Sequence, residues 1–152
     1  AKGLASHWEV SLEELTASLI EAGAAQPLRL FIDSPDLPKD QYGRIQSSYA
    51  FTLHSRAAEY LVENGLRAFG TSFKSVDFQP GSRERPVHKV LFRGKVTVYE
   101  CLNLSAVKTG KYFLSAFPLP LSGASESPVC PVLFEKDELL RALTEFELEE
   151  RF

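Results

Sequence analysis

Apolar residues recur at helical spacing in three places along this chain of 152 residues. Between Ser11 and Ala22, Leu12, Leu15, Leu19 and Ile20 make one stripe. Ser11 and Glu14 have the spacing of a capping box, and Gly23 stands where a left-handed helix terminator belongs. A second segment, Ser55 to Asn64, turns Ala57, Ala58, Leu61 and Val62 to one side and Arg56, Glu59 and Glu63 largely to another, and it stops at Gly65. The third runs from about Lys136 to Phe146, with Leu139, Leu140 and Leu143 as its expected buried stripe.

Shorter apolar runs predict strands. Leu28 to Ile32 is bounded by Pro27 and by Asp33, Ser34 and Pro35, and Tyr49 to Leu53 leads directly into the second helix. Phe73 to Phe78 is a strand of imperfect alternation. Val87 to Phe92 and Val96 to Leu102 flank Arg93, Gly94 and Lys95, the composition of a tight hairpin turn. Tyr112 to Phe117 runs into Pro118 and Pro120, and the proline-bearing stretch to Pro131 reads as a covering arm or lid. Asp33 to Ser48 and Gln79 to Pro86 read as surface loops. The expected fold is a single α+β domain over residues 1–152, a mostly antiparallel sheet packed with about three helices.

Composition narrows the classes. A chain of this length buries roughly 68 to 70% of its unfolded surface, enough for a core without staples. The net charge of -3 lacks the footprint of a nucleic-acid binder, and no apolar run approaches the ~20 residues of a membrane span. Residues Ala1 to Val10 do not have the order of a secretory signal, and Cys101 and Cys130 are too few for a disulfide framework, so two reduced thiols and a cytoplasmic location are expected. Methionine is absent even at position 1, so the first residue reads as a processed or trimmed end.

The search for chemistry returns little. His7, His54 and His88 are far apart and lie in no metal or nucleophile spacing; His54 is explained as a helix cap and His88 as a strand-surface residue. There is no glycine-rich phosphate loop, CxxC, HExxH or GxSxG. Asp33, Asp36 and Asp40 lack the glycine and terminal glutamate of a calcium loop. No catalytic residue, metal or cofactor is therefore predicted. Two features point to a partner. Trp8, between His7 and Glu9, is either a hydrophobic staple for the first helix or an exposed anchor. The last 18 residues carry seven acidic against three basic side chains, and Glu145, Glu147, Glu149 and Glu150 gather at a helix C-terminus. There each opposes the helix dipole by roughly 0.3 to 1 kcal/mol, so local stability does not explain their placement; a solvated helix end and a basic partner are the two readings.

The middle of the chain carries a resemblance. Phe51, Thr52, Leu53, His54, Ser55, Arg56, Ala57, Ala58, Glu59, Tyr60 and Leu61, on to Gly65, resemble the strand-into-helix opening of bacterial immunity proteins encoded beside polymorphic toxins. Phe73 to Phe78 resembles their next strand, Val98, Tyr99, Leu102, Asn103 and Leu104 the strand after it, and Leu139, Leu140, Leu143 and Phe152 their C-terminal elements. The resemblance covers residues 49–104 and 132–152, and departs from the family at Ser105, Ala106, Val107 and Lys108, where an acidic residue is usual. It implies a cytoplasmic protein without chemistry of its own that neutralises a basic toxin domain by direct binding. On this reading Trp8, Asp36, Asp40, Glu145, Glu147, Glu149 and Glu150 are the candidate contact residues, on the acidic tail and the loops Asp33 to Ser48 and Pro118 to Pro131. The alternatives are an interaction or accessory domain of a larger protein, or a small enzyme with an unmarked site near His54, which would need His54 or His88 to meet a carboxylate.

Overall fold

The computed structural model describes residues 6–78 and 84–149, with side chains described up to residue 145. The chain divides into two compact units, Ala1–Lys108 and Thr109–Phe152.

The first unit alternates strands and helices: β1 (Ser6–Val10), α1 (Leu12–Glu21), β2 (Arg29–Ile32), β3 (Tyr49–Leu53), α2 (Ser55–Glu63), β4 (Ala68–Thr71), α3 (Pro86–Arg93) and β5 (Thr97–Tyr99). Its described strands pair only in parallel. β1 lies beside β3 with Trp8 opposite Phe51. β4 is the centre of a second sheet, with Phe69 opposite Leu30 of β2 on one side and Val98 of β5 on the other. Parallel neighbours need crossover connections, and α3 supplies the one between β4 and β5. The expected, mostly antiparallel sheet is thus corrected: the fold mixes helices with sheets in which only the second unit's pair is antiparallel.

Two buried clusters hold this unit together, a smaller one around Ile45, Ala50, Phe51 and Phe73 and a larger one between the helices and the sheet. Leu15 and Leu19 of α1, Ala57, Ala58 and Leu61 of α2, Phe69 of β4 and Val87 and Leu91 of α3 form a single buried cluster. Burying one such leucine contributes about 1.5–3 kcal/mol. α1 and α2 match the sequence reading closely. Ser11 and Glu14 exchange both bonds of the capping box, and Gly23 takes a φ of +62° at the end of α1. His54 is the N-cap of α2, its Nδ1 accepting from the N–H of Arg56 at 3.2 Å.

Three expectations change here. Residues 6–10 form a strand that was not anticipated. The strand placed at Phe73 to Phe78 is not one: β4 ends at Thr71 and an irregular segment follows. Val87 to Phe92, read as the first arm of a hairpin, is helical. Pro86 sits at the first helical position, where its missing N–H costs nothing, and the helix buries Val87, His88 and Leu91 along one side.

The second unit contains β6 (Tyr112–Ser115), antiparallel to β7 (Val132–Glu135) with Phe113 opposite Phe134, and α4 (Lys136–Glu149). Among the described residues four helices stand where about three were expected. No described residue of this unit is buried, and Leu140 and Leu143 are exposed, so the apolar stripe assigned to this helix is not a core face. No helix among the described residues is long and apolar enough to cross a membrane.

Candidate functional site

Because β2, β4 and β5 run parallel, their carboxyl ends emerge along one edge of the sheet, the place where open α/β sheets bind ligands. The loops after β2, β4 and β5 all meet there. Backbone bonds lock them together: Cys101 N–H donates to the carbonyl of Phe73 (2.9 Å), Leu102 N–H to that of Thr71 (3.1 Å) and Ile45 N–H to that of Ser72 (3.4 Å).

At this edge His88 lies between two carboxylates. Its Nδ1 is 2.7 Å from Oδ2 of Asp77 and its Nε2 is 3.3 Å from Oε1 of Glu100. Asp77 is fixed by the helix it caps: its two oxygens accept from the N–H groups of Val87 (2.9 Å) and His88 (3.0 Å), so an acid from a distant loop replaces the cap that Arg85 does not provide. Glu100 is held by the N–H of Val76 (2.7 Å). The imidazole is buried and packs edge-on against Phe92. With Asp77 accepting from Nδ1–H, the Nε2 lone pair of a neutral ring would face a carboxylate oxygen. A cation between Nε2 and Oε1 would relieve the repulsion of these two acceptors. Glu100 first, with Asp77 adding to it, raises the His88 pKa above its ordinary 6.5 even though burial opposes the charge.

A carboxylate behind Nδ1 and a second electron-rich oxygen before Nε2 is also the arrangement of a metal-ligating histidine and its orienting acid. The donor set fits a divalent metal as far as it goes: His88 and Glu100 offer one nitrogen and one oxygen. Among the described residues no group of three or more His, Cys, Asp or Glu is placed to hold a metal ion, so the pair is at most part of a metal centre.

The loop after β2 straps across the same edge. Lys39 and Ile45 form an antiparallel bridge, and the turn between them is organised by Asp40, whose carboxylate accepts from the N–H groups of Tyr42 (2.9 Å) and Arg44 (3.0 Å) and from the Arg44 guanidinium through Nε (3.0 Å) and Nη2 (2.9 Å). These bonds, the Arg44 N–H foremost, hold the Asp40 pKa below 3.8. At the base, Asp33 accepts from Lys39 Nζ (2.5 Å) and from the buried Ser72 hydroxyl. At the tip, Gly43 has a φ of +73° with the Asn103 side chain directly over its Cα, leaving no room for a Cβ. Arg44 lies 4.9 Å from the centroid of the exposed Tyr42 ring.

The residues singled out from the sequence fall elsewhere. Trp8 is exposed on β1, Asp36 is exposed in the strap, and Asp40 is committed to Arg44. Glu145 is exposed on α4; Glu147 and Glu149 lie on that helix beyond the described side chains, and Glu150 lies outside the described residues. The structure brings together instead His88, Asp77 and Glu100. His88 was read as a strand-surface residue, and His54, the proposed centre of an enzyme site, is a helix cap. The missed signal was Pro86 followed by apolar Val87, Val90 and Leu91, a helix start that places His88 on the buried side.

No family model matches the chain. It is 37% identical over 81 residues to a kynurenine formamidase from Bacillus cereus, covering 53% of this chain and 38% of that one. Kynurenine formamidase from Bacillus anthracis is 39% identical over 82 residues (53% and 39%), and that from Maricaulis maris 34% over 83 residues (55% and 39%). The chain thus spans well under half the length of these relatives. Among solved structures, one described as a "potential metal-dependent hydrolase with cyclase activity" superposes with a TM-score of 0.58 at 22% identity, over 84% of this chain and 59% of the other. A "predicted metal-dependent hydrolase" from Bacillus stearothermophilus gives 0.57 at 23% identity, over 82% and 56%. At that identity the likeness is one of fold. These findings overturn the resemblance to immunity proteins, the reading of the chain as a non-enzyme and its basic toxin partner: the relatives are enzymes, and the immunity-like positions were apolar and turn positions shared by many folds.

Proposed function

We propose that this chain supplies part of the active site of a metal-dependent hydrolase acting on an aryl formamide of the kynurenine class. The observation that carries the reading is the Nε2–Oε1 approach of 3.3 Å between His88 and Glu100, with Asp77 fixing the ring from behind. The names of the relatives supply the substrate class. His88 and Glu100 would hold the metal; when bound, it would lower the pKa of its water and polarise the formyl oxygen. Catalytic zinc takes three protein ligands, so at least one more would come from outside this pair. Asp77 keeps the Nε2 lone pair free of its own proton, and Val76 N–H aims Glu100. The free, exposed thiols of Cys101 and Cys130 suit a cytoplasmic enzyme.

The test follows the ¹⁵N resonances of His88 during titration with Zn²⁺, in the chain and in Glu100→Gln, alongside formate release from N-formylkynurenine. The reading expects Nε2 of His88 to shift on metal addition and the response to weaken in Glu100→Gln. A His88 ring unmoved by metal would refute it.

A further inference from the structure

The strap from Lys39 to Ile45 is built more firmly than a connecting loop requires. The loop after β2 leads into it, Ile45 N–H is bonded to the carbonyl of Ser72 after β4, and Gly43 at its tip lies beneath Asn103, beyond β5. The strap therefore crosses the carboxyl edge of the sheet and brings its tip against Asn103, three residues after Glu100. Ile45 is buried in the core, and Asp40 spends its carboxylate on the backbone and side chain of the turn. This rigidity ends in an exposed aromatic ring: Tyr42 is 60% exposed and has the Arg44 guanidinium 4.9 Å from its centroid. Two guanidinium N–H groups converge on Oδ2 of Asp40 and offset the charge of Arg44, so the pair offers a flat stacking platform more than a point charge.

We infer that Tyr42, presented by this strap and backed by Arg44, is the specificity-determining residue for the aryl ring of the substrate. This rests on the hydrolase reading and deepens it: one part of the edge handles the formyl group, while the strap selects for a planar aromatic on its nitrogen. Tyr42 is a binding residue, with no part in proton transfer. An aliphatic amide would gain nothing from it.

The experiment uses the whole chain and follows the aromatic signals of its five tyrosines by NMR, with Tyr42 identified by its loss in Tyr42→Ala. Kynurenine is the aryl probe and 2-aminobutyrate the aliphatic control. The Tyr42 ring should shift saturably with kynurenine and not with the control. Binding should fall about three- to tenfold in Tyr42→Ala and stay within about twofold in Tyr42→Phe, the span expected of one aromatic contact. A Tyr42 signal that ignores kynurenine, equal response to both probes, or equal affinity in Tyr42→Ala overturns the assignment. Zn²⁺ added to the same sample keeps the two readings apart. A metal response at His88 without an aryl response at Tyr42 removes the strap's role alone, and an aryl response without a metal response removes the hydrolase alone. In the proposed enzyme, Tyr42→Ala should raise KM for the aryl formamide and leave kcat nearly unchanged.

Discussion

Oε1 of Glu100 accepts the N–H of Val76 while standing 3.3 Å from Nε2 of His88, and Val76 directly precedes Asp77, which grips the other side of the same imidazole. The two-residue stretch Val76–Asp77 therefore sets the positions of both carboxylates relative to the ring. β4 ends short of it, and the irregular backbone that follows lets one peptide N–H and one side chain point at neighbouring targets.

Asp77→Asn tests that coupling. The substitution removes the charge that caps α3 and replaces an acceptor of Nδ1–H with an ambiguous amide. We expect a loss of about 1–3 kcal/mol in urea unfolding, because the side chain is buried and three donors depend on it. Under the hydrolase reading, metal affinity should also fall roughly 10- to 100-fold, as when a histidine ligand loses its orienting acid. Unchanged unfolding would contradict the capping role.

Leu61 of α2 lies within the core cluster and is 1% exposed. Leu61→Ala should destabilise the first unit by about 2–5 kcal/mol, measured by chemical denaturation.

Gly43→Ala meets two obstacles, a left-handed φ and the Asn103 side chain. A loss of about 1–3 kcal/mol is expected. The pair is separable: adding Asn103→Ala should recover the steric part and leave the conformational part. Full recovery in the double variant would show that φ contributes nothing.

Asp40 has a pKa lowered by the N–H of Arg44 first and by the guanidinium as well. A depressed carboxylate stabilises the turn above its unfolded value of 3.8, and that contribution is lost as pH falls through the lower folded value. The protection of the Tyr42 and Arg44 amides, taken relative to their intrinsic exchange at each pH, should thus hold down to pH 3.8 and fall only below it. Protection lost above pH 3.8 would contradict the bonding described.

The helices were legible where the signal was local. Ser11, Glu14 and Gly23 mark α1 by spacing alone, and Gly65 closes α2. The sheets were misread because parallel pairing leaves no local signature: no turn joins Leu30 to Phe69, and buried parallel strands lose the alternation that marks one-sided ones. Val87 to Phe92 illustrates the cost. Six residues rich in Val, Leu and Phe suit a strand by propensity, and only Asp77, distant in sequence, supplies the missing helix cap. The site was hidden for the same reason, since His88, Asp77 and Glu100 share no motif spacing and meet only through β4, α3 and β5. The immunity-protein resemblance rested on scaffold positions, which say little about the surface that acts.

The parallel pairing also bears on how the chain reaches its native state. Strand partners in the first unit lie roughly 30 to 40 residues apart in sequence, as with Trp8 and Phe51, Leu30 and Phe69, or Phe69 and Val98, so large loops must close before any ladder bond forms. No early β-hairpin nucleus is on offer among these strands. Docking of α2 against α3 would bring the two arms flanking β4 together first, and the carboxyl edge of the sheet would be among the last regions to order during folding.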